Sequence, residues 1–209
     1  MTSEFRGSRT RFVTFIVAII TLTAGCSTTT DGLAIPNSVD SRPSETTTSE
    51  STPSEAPAVE DPVNVSAFLQ HPCTTLTQEQ LSRLDVSGTG APTTSGGIAE
   101  QVGPYCVWLA PERSASLSVG FLASNEIGLT TVYESRDEFA YFDPTSVGGY
   151  PAVFADFDDY RNDGECSIIV GTSDTETFRA SEKGELNPQD ACDRAKQIAT
   201  AALATMSGG

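Results

Sequence analysis

The sequence predicts an α+β domain, an antiparallel sheet with N-terminal and C-terminal helices packed on it. Three observations carry that prediction. A helix-start signal sits at Thr77, a period of two runs through the centre of the chain, and a helical stripe follows Asn187 almost to the end. Helical segments flanking an antiparallel centre fit packed α+β layers rather than alternating βα units.

The first helix opens within Leu76-Thr77-Gln78-Glu79-Gln80-Leu81. Thr77 is placed as N-cap with Gln80 reaching back, a reciprocal capping box, and Leu76 and Leu81 are spaced as a hydrophobic staple. Leu81 and Leu84 supply its buried stripe, and Gly88 lies just beyond its end. In Tyr105 to Leu109, Cys106 and Trp108 share one face while Tyr105, Val107 and Leu109 share the other. Leu117, Val119 and Phe121 alternate with Ser116, Ser118 and Gly120, so this strand is half exposed. Asn125 to Asp137 reads as a short helix. Ala152 to Asp158 and Cys166 to Gly171 form a hairpin across the turn-rich Arg161-Asn162-Asp163-Gly164, and Thr175 to Ala180 is a further strand. The last helix has Asn187 as N-cap and Pro188 at its first position. It presents Ala195, Ile198, Ala199, Ala202, Leu203 and Met206 on one face and stops at Gly208-Gly209.

Upstream of this domain the composition changes twice. Arg6, Arg9 and Arg11 precede an apolar run of eleven residues, Phe12 to Leu22, followed by Leu22-Thr23-Ala24-Gly25-Cys26. Eleven residues fall short of the roughly 20 that span a bilayer, and the pattern is that of a secretory signal. The cysteine directly after Ala-Gly resembles a bacterial lipobox, with Thr23 where Leu is usual. The expectation is a signal peptide over 1–25, cleaved before Cys26, with a diacylglyceryl thioether on Cys26 that anchors the chain to the outer face of the cell membrane. Ser27 to Pro62 then holds 14 Ser or Thr, five Pro, seven acids and no aromatic residue. Its apolar content is too sparse to offset the entropy of ordering, so 26–62 is expected to be a tether and 63–209 the folded domain.

The chain carries 12 basic and 28 acidic residues, a net of −16, and residues 63–209 carry 8 and 20, a net of −12. No basic surface is available to neutralise phosphates, which excludes a nucleic-acid partner. Five cysteines leave four, Cys73, Cys106, Cys166 and Cys192, once Cys26 is set aside. An exported chain keeps disulfides, and four cysteines allow three pairings. The favoured one, Cys73–Cys106 with Cys166–Cys192, staples a helix to a strand twice. A metal site is disfavoured because no C-x-x-C occurs.

Catalytic constellations are missing from the sequence. His71 is the single histidine and lies at the tether junction without an acidic neighbour. There is no G-x-S-x-G, no P-loop and no G-x-G-x-x-G. The acidic run from Asp156 to Glu165 fails as a calcium loop: aligned from Asp159, Arg161 takes position 3 and Val170 position 12. It reads instead as a polar hairpin end. Trp108 on a strand reads as core rather than a sugar platform. Phe154, alternating with Val153 and Ala155 and flanked by Asp156, is either covered by a helix or part of a binding patch.

Taken in order, Pro72-Cys73-Thr74-Thr75-Leu76-Thr77, Cys106-Val107-Trp108, Gly149-Tyr150-Pro151-Ala152-Val153, Cys166-Ser167-Ile168-Ile169-Val170 and Cys192 before a helix resemble the actinobacterial lipoproteins grouped as domain of unknown function 3558. The last cysteine follows Ala191 where Pro-Cys is common in the family. The resemblance implies a small sheet-and-helix domain similar to the Mog1/PsbP-like fold and brings no catalytic residues or cofactor. The functional expectation is a membrane-anchored envelope lipoprotein that binds a protein partner or small ligand and is not an enzyme. The alternative is an envelope enzyme acting on wall polymers through carboxylates.

Overall fold

A computed structural model describes residues 55–184 and 186–208. The proposed signal peptide, Cys26 and the tether up to residue 54 lie outside the described residues. The elements run α1 (Ser66–Gln70), α2 (Gln78–Arg83), β1 (Ala91–Thr93), α3 (Gly97–Gln101), β2 (Tyr105–Ala110), β3 (Ala115–Phe121), α4 (Leu129–Glu134), β4 (Tyr141–Val147), β5 (Tyr150–Asp156), β6 (Glu165–Gly171), β7 (Thr177–Lys183) and α5 (Pro188–Met206). The seven strands form one sheet in the order β1-β2-β3-β7-β6-β5-β4, with every neighbouring pair antiparallel. The fold is α+β.

Local chemistry sets the helix ends. At α2 the Thr77 side chain accepts from the Gln80 N–H at 3.2 Å while the Thr77 N–H donates to Gln80 Oε1 at 2.7 Å, satisfying two otherwise orphaned donors. Gln80 also donates from Nε2 to the Ala201 carbonyl at 2.9 Å, so the same side chain that caps α2 fixes it against α5. Asn187 caps α5, accepting from the Asp190 N–H at 3.0 Å, with Pro188 at the first helical position.

The 19-residue α5 lies across one face of the sheet. Its Ala191, Ala195, Ile198, Ala199, Ala202 and Leu203 meet Cys106, Trp108, Leu117, Val119, Ile168, Val170, Phe178 and Ala180 in the main core. Small alanines along the helix let the backbone approach the sheet closely, while Ile198 and Leu203 fill the space between strands. The bridges Cys73–Cys106 and Cys166–Cys192 are formed. The first ties the 3-10 turn Pro72–Thr75 to β2, and the second ties the first turns of α5 to β6. Trp108 is a core residue, and Phe154 is half-buried against this same core.

On the opposite face, Leu129, Val132 and Tyr133 of α4 cover Val153, Ala155 and Ile169 of β5 and β6, a second and smaller core. The chain over 55–62, assigned to the tether on composition, packs here: Ala56 joins this cluster and Val59 is buried. The Val59 N–H donates to Asp174 Oδ1 at 3.3 Å, and the Val63 N–H donates to the Thr172 carbonyl at 2.8 Å. Two apolar side chains placed over an existing core thus order a segment that lacks the composition to order itself.

Candidate functional site

β3 and β7 pair in the middle of the sheet, with Gly120 opposite Arg179 and Ser118 opposite Ser181. Their inward residues, Leu117, Val119, Phe178 and Ala180, belong to the main core. By alternation, Ser116, Ser118, Gly120, Arg179, Ser181 and Lys183 face the other way. Among the described residues α4 covers only β5 and β6 on that side, which leaves this half of the sheet open. Tyr105 and Val107 of β2 form one edge of the floor, and short side chains on β3 keep it low.

One wall comes from α3. Its Ile98 is 62% exposed, and Val102 directly after it is 45% exposed. The helix is held there by Gly103, whose φ of +119° suits glycine and whose absent Cβ would stand 1.9 Å from the Phe121 carbonyl oxygen. Between this wall and the floor lies a cavity of about 300 Å³. A second cavity of about 460 Å³ adjoins it between α3 and α4, and the two share Val102, Leu122 and Arg179. The second is lined largely by apolar groups, among them Val132, Phe139, Ala155, Phe157 and Ile169. Phe157, 61% exposed, stacks on Phe139 with ring centroids 4.7 Å apart.

Arg179 stands where the two cavities meet, and its neighbours fix it. Nη2 donates to the Asp156 carboxylate and, at 2.7 Å, to Ser167 Oγ; Nε donates to Ser181 Oγ at 3.3 Å. The protons can be assigned. Ser167 has one hydroxyl proton, which goes to Asp156 at 3.0 Å, so in the 2.9 Å contact between the two serines Ser181 is the donor. The Ser167 N–H donates to the Tyr141 hydroxyl at 3.2 Å, where the β5–β6 ladder has ended at Phe154 opposite Ile168. Burial pushes the Tyr141 hydroxyl pKa up, so it stays a neutral phenol. Ser167 is fully buried, which keeps it from acting as a nucleophile on any molecule in the groove. The network positions Arg179.

The acidic hairpin end is organised by cations. Arg161 binds Asp159 through Nε at 2.8 Å and Nη2 at 2.7 Å, lies 3.4 Å from Asp143, and stacks over the Tyr141 ring at 4.1 Å. Those bonds from Arg161 hold the Asp159 carboxyl down at about 2. Lys183 pairs with Glu165 at 3.0 Å, which raises the Lys183 pKa. His71 is exposed between α1 and the following 3-10 turn, away from the groove residues.

Sequence reasoning did not single out Arg179, Ser181, Ile98 or Val102. The signal available for Arg179 was one cation inside a strand between Phe178 and Ala180. α3 left none, because five residues are too few for helical periodicity.

The architecture is therefore a disulfide-stapled sheet-and-helix domain with one sheet face closed by a long helix and the other half open as a groove. Residues 21–205 match the family described as Protein of unknown function (DUF3558), and the chain belongs to that family. No curated protein and no solved structure matches it.

Proposed function

We propose that this chain is a lipid-anchored binding protein of the cell envelope that takes a small ligand or a protein partner on the open half of its sheet. The observation that carries the reading is the groove itself. An apolar wall is left exposed beside a floor of short polar side chains, and a partly buried network pre-sets the guanidinium at its centre. Anchorage rests on the Arg-rich start, the apolar run and Leu22-Thr23-Ala24-Gly25-Cys26. The family match begins at residue 21 and so takes in Cys26, the tether and the domain as one unit.

Binding is favoured over catalysis by the state of the groove's carboxylates. Asp156 accepts from Arg179 and Ser167, and Glu165 pairs with Lys183. Each is committed to a partner, whereas a glycosidase needs one carboxylic acid free to give its proton. The test is a photoreactive phenylalanine analogue at Val107 on the open face, with a second chain carrying it at Gln197 on α5, each expressed in the native host. A discrete adduct at 107 and none at 197 supports the reading. Equal labelling at both positions, or none at 107, refutes it.

A further inference from the structure

The proposed groove is uneven along its length, and its two ends differ in chemistry. The end beneath α4, a chamber of about 460 Å³, is walled by Phe139, Phe157, Val132, Ala155 and Ile169, with Asn125, Asp156 and Arg179 also on its lining. The other end, about 300 Å³, has the Ser116 and Ser118 hydroxyls on its floor, and neither hydroxyl makes a hydrogen bond to a described residue. Both volumes fall within the roughly 300–1,000 Å³ range of small-molecule sites. Where the ends meet, the charge of Arg179 is already met by Asp156; at the serine end, Lys183 is met by Glu165.

We infer that the groove binds an uncharged amphiphile, a hydrocarbon chain bearing a hydroxyl-rich head, with the chain under α4 and the head on the serine floor. The inference rests on the binding reading above and names its ligand class. A hydrocarbon chain suits the chamber because burying it removes apolar surface on both partners from water, at about 25 cal/mol per Å². A hydroxyl head suits the other end because Ser116 and Ser118 each both donate and accept, matching groups that do the same. A charged head is disfavoured from both sides. Either kind of head finds no unpaired counter-charge there, because Lys183 is paired with Glu165 and Arg179 with Asp156, and it would have to break one of these pairs.

The test is calorimetric titration of the exported Cys26→Ala chain, both disulfides intact, with decyl maltoside, decanoate and decyltrimethylammonium as monomers, and with maltose. The expected result is one-to-one binding of decyl maltoside, at least tenfold tighter than either charged chain, with maltose alone silent at the same concentrations. Ser118→Trp fills the centre of the floor and is expected to weaken decyl maltoside at least tenfold. Ile98→Asp, at an already exposed wall position, serves if the first variant loses its thermal transition. Equal or tighter binding of decanoate or the cation overturns the inference. If that binding is still lost in Ser118→Trp, the groove stands as a site and only the ligand class fails. Silence with every probe also overturns it, and a discrete adduct at Val107 then keeps the binding reading alive without it.

Discussion

The Cys166–Cys192 bridge closes a sequence separation of 26 residues and joins β6, in the centre of the core, to the start of α5. Replacing both with Ala frees that loop in the unfolded chain while leaving β6 and α5 packed through Ile168, Val170, Ala195 and Ile198. The loop-entropy relation gives about 3.5 kcal/mol for a loop of this size at room temperature. Loss of a fully buried sulfur at Cys166 adds to this, so the double variant is expected to lose about 3–5 kcal/mol. Urea unfolding followed by far-UV circular dichroism measures it. The midpoint falls, and the slope rises because an unfolded chain with one bridge fewer exposes more surface. A loss below about 1 kcal/mol with an unchanged slope would refute the assignment of this stability to the unfolded state.

Four further outcomes follow from named contacts. Tyr141→Phe strands the buried Ser167 N–H and is expected to cost roughly 1–3 kcal/mol in thermal or urea unfolding. Gly103→Ala drives a Cβ into the Phe121 carbonyl, so it is expected to cost roughly 1–3 kcal/mol and to raise amide exchange across α3. The Asp159 carboxyl is expected to titrate near 2 by NMR and to return towards its ordinary 3.8 in Arg161→Gln. Because folding depresses that pKa, its contribution to stability is present above pH 3.8 and is lost as pH falls through about 2. Cys26→Ala is expected to move the protein from the membrane pellet to the soluble fraction, and retention in the pellet would contradict lipid anchorage.

Elements with strong local chemistry were legible in the sequence. The Thr77–Gln80 box and the Asn187-Pro188 start act through bonds within four residues, so they need no tertiary information. The half-exposed alternation of β3 likewise foreshadowed one buried and one open face. β4 was missed because Asp143 and Pro144 interrupt its alternation, a tolerable pattern only on an edge strand, which nothing local to the sequence reveals. β1 is three residues around Pro92, again at an edge. Composition places the last strand at Thr175 to Ala180, whereas it runs Thr177–Lys183, because pairing with β3 and β6 carries Ser181 to Lys183 into the ladder. The groove was the least visible feature. Its floor, wall and central cation come from β3, α3 and β7, and β3 and β7, far apart in sequence, become neighbours only through the sheet order.

The most direct test of the open-face site is an amide shift map of the isotope-labelled exported chain titrated with an organic extract of the native envelope. Saturable shifts are expected at Tyr105, Val107, Ser116, Ser118 and Ser181, with Gln197 and Thr200 on the outer face of α5 unmoved. Shifts confined to α2 and α5, or a titration that moves no amide on β2, β3 or β7, would contradict it.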